Sequence, residues 1–167
     1  MSTKKLDQQI EPENQLQSEV AKLILEIIDI NKEMTNTSIH ESQFSGKKIP
    51  KISIELYIDR LKRYFNFEDN TLILTLIYLD RFCEFNSIKL KINNFHRLFL
   101  ICLLVAIKYN EDLYYPNSFY AKIGGITLTD LNCMEENYLD LIEYSVFVEE
   151  ELFNKYSKYL QNLNENR

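Results

Sequence analysis

NFHRLFLICLLVAIKYNEDLYYPNSFYAKIGG, residues 94–125, decides the fold. From Leu98 to Ile107 it carries no charged or strongly polar side chain, so a helix here has no wet face. A helix apolar on every side is either a membrane span or the centre of a globular core. A span needs about 20 apolar residues, and Arg97 and Lys108 close this run after ten. The stretch therefore predicts a buried central helix that surfaces at Lys108. Beyond it, Pro116 opens a short helix over NSFYAKI, which Gly124-Gly125 ends through the left-handed conformation that glycine adopts cheaply.

Amphipathic helices are expected on both sides. Ile54, Tyr57, Ile58, Leu61 and Tyr64–Phe65 recur three and four residues apart behind Ser53, a capping residue. Asp69 or Asn70 caps a second helix, TLILTLIYLDRFCEF, almost wholly apolar as far as Asp80-Arg81. After a loop over 86–92, Asn93 or Asn94 starts the central helix. Thr127 or Thr129 caps the fifth, DLNCMEENYLDLIEY, and a break at 145–148 precedes a last helix, EEELFNKYSKYLQNL. The expectation is an all-α chain with five core helices and one flanking helix at each end. Its parts are a flexible N-terminus over 1–17, a helix over 18–34, a linker over 35–47, the five-helix unit over 48–146, and a C-terminal helix and tail over 147–167.

Composition narrows the function. The formal net charge is −6. Residues 51–109 hold nine basic and six acidic side chains, and residues 110–167 hold four basic and eleven acidic. Nucleic-acid binding rests on a basic face, so none is expected. Cys83, Cys102 and Cys133 sit far apart in apolar helical patterns, without CxxC or Cys/His spacing. They read as core thiols of a reducing compartment, not as metal ligands. The N-terminus is too polar for a signal peptide. Cytoplasmic or nuclear localisation, with no membrane association, is the expectation.

No GxSxG, glycine-rich phosphate loop or HExxH is present. The two histidines are His40, in the linker, and His96, in the first turn of the central helix. His96 reads as a packing or capping residue. No catalytic residue, cofactor or metal is expected. Arg60 is the expected ion-pair partner of Asp80, because a carboxylate ending an apolar helix needs one.

YLDRF at 78–82, LLVAIKY at 103–109 and LNCMEENYLDLIEY at 131–144 together resemble a cyclin box. HRLFLICLLVAIKYNEDLYYPNSFYAKIGG resembles the P-type, phosphate-regulatory class that includes the plant U-type proteins, as does IPKISIELYIDRLKRY. The resemblance covers roughly residues 48–145 and is not expected in 1–45. It implies a single cyclin box, five helices around the third. It also implies a regulatory subunit that activates a cyclin-dependent protein kinase as a heterodimer, through its third to fifth box helices. By the same resemblance, Lys108 donates to carbonyls at the end of the kinase helix that carries the catalytic glutamate. Glu135 orients that lysine, and Tyr109, Tyr144 and Val146 supply apolar contacts. One departure stands out: PKISIELY replaces the MRAIL-like run that opens the substrate-docking patch of cell-cycle cyclins. The alternative reading is a cyclin-fold transcription or interaction adaptor, as in transcription factor IIB, and the net charge of −6 counts against its nucleic-acid form.

Overall fold

The structure is a computed structural model that describes residues 15–166. Eight helices and no strand occur among the described residues. They are α1 (Gln15–Ile30), α2 (Glu41–Phe44), α3 (Ile54–Phe65), α4 (Asp69–Phe85), α5 (Phe95–Asn110), α6 (Asn117–Gly124), α7 (Leu128–Leu141) and α8 (Glu150–Glu165). The all-α architecture is as expected. None of the described helices is long and apolar enough to cross a membrane.

The core is built on α4 and α5, the most extensive helix pairing in the molecule. Every residue of α5 from Phe95 to Ile107 is buried except Arg97. In α4, Thr71 to Leu79 are buried without interruption. Each fully buried Leu, Ile or Phe contributes roughly 1.5–3 kcal/mol, so this pair supplies much of what holds the fold. Thr75, inside it, satisfies its hydroxyl by donating to the Thr71 carbonyl at 2.8 Å. The other helices wrap the pair: α1 lies on α3 and α8, α6 on α3 and α7, α7 on α5, and α8 on α4.

Capping explains several boundaries. Ser53 Oγ accepts the Leu56 N–H at 3.3 Å, and Thr127 Oγ1 accepts the Asp130 N–H at 3.0 Å. Gly125, at φ +77°, closes α6. Gly124 is required for a different reason: a Cβ there would lie 2.4 Å from Leu100 Cδ2, so its bare backbone lets α6 rest on α5. The start of α4 departs from expectation. Glu68 occupies the N-cap without a side-chain cap, and Asp69 pairs with Lys62 at 3.2 Å instead. Glu111, just beyond α5, does the capping: its Oε1 accepts the Glu68 N–H at 2.8 Å and the Thr71 hydroxyl. Asn94 opens α5, yet its side chain serves the preceding loop, accepting the Lys91 N–H at 2.8 Å and donating to the Lys89 carbonyl at 3.0 Å.

The N-terminal region also differs. The expected flexible segment falls mostly outside the described residues, and residues 15–17 already belong to α1. That helix ends at Ile30, not near Met34, because the chain is tied to the loop before α5. Asn31 Nδ2 donates to the Leu90 carbonyl at 3.1 Å, and Asn36 exchanges two hydrogen bonds with the Lys89 backbone at 2.6 and 3.0 Å. Within residues 35–47, α2 buries Phe44, edge-on to Phe82 at a centroid distance of 5.0 Å.

The expected Asp80–Arg60 ion pair does not form. α3 packs on α1 and α6, whereas the end of α4 faces α8. Asp80 Oδ2 therefore accepts the Tyr156 hydroxyl at 2.9 Å, and Arg60 lines a groove beside Tyr57 and His96. Asp80 is exposed as a whole residue, but its carboxyl lies over the apolar surface between α4 and α8. Burial there raises its pKa, the Tyr156 bond opposes the rise and Glu84 adds to it.

Candidate functional site

Lys108 and Glu135, 27 residues apart in sequence, meet where α5 emerges from the core. The Lys108 Nζ lies 2.9 Å from Glu135 Oε1 and 2.8 Å from Oε2. Their side chains are 29% and 19% exposed, so the pair sits at the boundary between core and solvent. Three helices hold it. α5 fixes the stem of Lys108 and α7 carries Glu135. At the start of α6, Asn117 Nδ2 donates to Glu135 Oε1 at 3.3 Å and to Asn132 Oδ1 at 2.9 Å. Two of the three ammonium donors reach Glu135, which leaves one for an acceptor outside the chain.

The surface around the pair is apolar and aromatic. Tyr109 is 49% exposed, and Leu113, Tyr114 and Tyr115 follow it in the loop to α6, all exposed. Tyr115 is anchored from beneath: Tyr120, fully buried, accepts its backbone N–H at 2.9 Å, and Phe119 packs against its ring at 4.5 Å. A second arm comes from the segment after α7. Glu143 and Tyr144 take positive φ values of 52° and 55°, a sharp reversal that leaves the Tyr144 side chain exposed. Val146 is half-buried and packs against the core. Phe147 stands 68% exposed and shares with Tyr109 a hollow of about 360 Å³ floored by Leu74 and Phe153.

Of the five residues expected at an interface, Lys108 and Glu135 are in direct contact, Tyr109 follows Lys108 at the end of α5, and Tyr144 and Val146 lie on the segment after α7. Several neighbours were not anticipated. Phe147, Leu113 and Asn117 belong to the same surface, and no periodicity marks residues in irregular segments. Arg81 shapes it from α4, its Nη1 donating to the Ser145 and Phe147 carbonyls at 2.9 and 3.1 Å. The Tyr78 hydroxyl donates to the Val146 carbonyl at 2.7 Å, and burial raises the Tyr78 pKa, which keeps that donor protonated. The YLDRF run thus splits its work: Tyr78 and Arg81 fix the 145–147 arm, and Asp80 fixes α8.

The remaining titratable groups read as structure. Burial pushes the Cys83 thiol up to about 12 and the Cys102 thiol well above its ordinary value, so both are unreactive thiols. Cys133 is exposed. His96 is buried edge-on against Tyr57 at 4.8 Å. No group of three His, Cys, Asp or Glu side chains placed to hold a metal occurs among the described residues.

A model of the Cyclin family matches residues 2–146. Cyclin-U4-1 of Arabidopsis thaliana is 34% identical over 146 residues, which cover 86% of this chain and 72% of that relative. Cyclin-P3-1 of Oryza sativa subsp. japonica is 29% identical over 81% of this chain and 56% of its own length. PHO85 cyclin-7 of Saccharomyces cerevisiae is 28% identical over 89% of this chain and 61% of its own length. The chain thus spans between a little over half and just under three quarters of these relatives. The match begins at residue 2, so the expectation that likeness is absent from residues 1–45 is corrected. Val20, Ala21 and Ile24 of α1 are buried in the same core as the box helices, a physical reason for that stretch to follow the family pattern.

Proposed function

This chain belongs to the cyclin family, as a cyclin of the P- and U-type class, and on that premise we propose that it is the activating regulatory subunit of a cyclin-dependent protein kinase. The observation that carries the reading is the Lys108–Glu135 pair, preformed between α5 and α7, with exposed Tyr109 beside Lys108 in the chain and exposed Tyr144 and Phe147 on the segment after α7. The carbonyls ending a helix lack intrahelical partners and are natural acceptors for an ammonium. Lys108, held by Glu135 on one side, presents its remaining donor to such a terminus on the kinase. Binding energy comes mainly from burying the aromatic side chains, and the charged pair sets register. A cyclin that grips the kinase helix only in its active position shifts the kinase toward that state. The protein's part is regulatory, and the chemistry belongs to its partner in a cytoplasmic or nuclear heterodimer.

Reconstitution tests this directly. The chain is mixed with each member of a panel of purified cyclin-dependent kinases, and phosphate transfer to a generic substrate peptide is measured with and without it. Stimulation of at least one kinase, lost with Tyr109→Ala/Tyr144→Ala, is the expected result. Failure to bind or stimulate any member overturns the proposal.

A further inference from the structure

α1, α4 and α8 meet around an open hollow of about 480 Å³. Its walls are mostly apolar: Leu23 and Ile27 come from α1, Leu76 and Leu79 from α4, and Leu152 from α8. Leu76 and Leu79 are buried, whereas Leu23, Ile27 and Leu152 are only half-buried and keep apolar surface turned outward from the core. The helices are already packed on one another, α1 on α8 and α8 on α4. A further helix, about 10–12 Å across, cannot enter between helices in contact. A narrow alkyl chain can, and the volume lies in the usual range of small-ligand sites, about 300–1,000 Å³.

Charge indicates what else the occupant carries. Asp80 and Tyr156 line the hollow, and their bond at 2.9 Å uses the only proton of the phenol. Asp80 has no ion-pair partner among the described residues. Arg81, next to it in the chain, is turned to the Ser145 and Phe147 carbonyls. Lys155, the one cation among the described residues lining the hollow, is exposed and stays outside pairing distance. Glu84, one turn further along α4, acts on Asp80 as a second negative charge. A carboxylate against apolar surface is costly without a counter-charge, and the missing complement is a cation. An anionic ligand would meet both carboxylates, and a neutral one would leave the charge uncompensated. An ammonium offers three N–H donors to the Asp80 oxygens, and an attached alkyl chain covers the apolar walls.

We propose that this hollow binds a small amphiphilic amine, with its ammonium on the Asp80 carboxylate and its alkyl chain along Leu23, Ile27, Leu79 and Leu152. A charge-assisted hydrogen bond orients one end, and burial of apolar surface holds the rest. Neither Lys108 nor Glu135 lines the hollow, so the inference goes beyond the kinase reading and does not depend on it.

The test uses the full chain, isotope-labelled for NMR and titrated with octylamine below its micelle-forming concentration. Octanoate and octanol match the chain with an anionic or a neutral head, and methylammonium carries the head alone. Octylamine should shift the methyl groups of Leu23, Ile27 and Leu152 saturably and bind about tenfold or more tightly than octanoate, as expected for a hydrogen bond to a charged group. Asp80→Asn should weaken octylamine about tenfold or more and leave octanol unchanged, a pattern that mere loosening of the hollow would not give. Lys155→Glu changes only an exposed rim residue, and so serves should Asp80→Asn misfold. It should strengthen octylamine by up to about fivefold and weaken octanoate. No saturable shift, equal binding of the amine, acid and alcohol, or indifference of octylamine to both variants overturns the proposal. So does equally tight binding of methylammonium, which would mark a bare cation contact. Tighter binding of the basic peptide Ac-Leu-Lys-Lys-Leu-amide overturns it too, by assigning the hollow to a partner protein.

Discussion

Replacing Lys108 by methionine keeps the stem that α5 buries and removes the ammonium. Within the free chain this breaks a bidentate pair at 2.8 and 2.9 Å whose partners are 29% and 19% exposed. A charged hydrogen-bonded pair this close to solvent contributes about 1 kcal/mol, equivalent to a fall in Tm of roughly 2–4 °C for a chain of this size. In the proposed complex the same group would be covered by the kinase. Losing a hydrogen-bonded charge at a covered interface costs about 2–5 kcal/mol, or roughly 30-fold to a few thousand-fold in affinity. The prediction is a small loss of stability beside a large loss of binding.

A charge swap separates the two. Lys108→Glu with Glu135→Lys rebuilds an ion pair between α5 and α7, so Tm should return most of the way to that of the parent. Kinase affinity should not recover, because a carboxylate now faces helix-terminal carbonyls, acceptor against acceptor. Thermal melting reads the first quantity, and calorimetric titration with the kinase found by reconstitution reads the second. Recovery of both by the swap would show that the pair only braces α5 against α7, and the assignment of Lys108 to the interface would be wrong.

Two further outcomes follow from the geometry. Gly125→Ala meets nothing within 4 Å but keeps a φ of +77°, and should cost about 1 kcal/mol of backbone strain. Gly124→Ala drives a Cβ to 2.4 Å from the buried Leu100 and should cost about 1–3 kcal/mol by overpacking; urea melts that ranked Gly125 as the costlier site would contradict this account. For Asp80, a folded-state pKa raised above the unfolded value means that the folded chain holds the proton more tightly. Its contribution is stability gained as pH falls through the folded pKa and lost again as pH rises. Asp80→Asn should flatten that part of the Tm profile, which lies above the ordinary carboxylate range, and Tyr156→Phe, which removes the bond favouring the carboxylate, should extend it upward. Solvent around Asp80 keeps both effects small, and a profile identical in all three proteins refutes the assignment.

What could be read from the sequence divides by the distance over which each interaction acts. The uncharged run from Leu98 to Ile107 reports its own burial, and Ser53, Thr127 and Gly125 act on backbone atoms within a turn, so each was recognisable where it stood. Glu111 caps α4 across 43 residues, and Tyr156 reaches Asp80 across 76. Neither partner carries a local pattern. Choosing Arg60 for Asp80 assumed that the preceding helix is the neighbour in space, but α4 turns its charged end toward α8. The nearness of Lys108 to Glu135 likewise came from family resemblance, and no spacing in this chain would have supplied it. Phe147 and Leu113 lie in irregular segments, where exposure follows from the chain's path.

That division bears on how the molecule works. A flexible lysine must be ordered when it binds, at a cost of about 0.5–1.5 kcal/mol for a long side chain. Here the cost is largely met during folding. Lys108 leaves a helix buried on every side, and Glu135, itself held by Asn117, pairs with its head in the free chain. The 145–147 arm is held in the same way by Tyr78 and Arg81 from the other central helix. Both halves of the surface are thus extensions of the α4–α5 pair. An apolar core with no chemistry of its own would serve the proposed function by being stiff, with any influence on a kinase exerted through the few side chains that leave it.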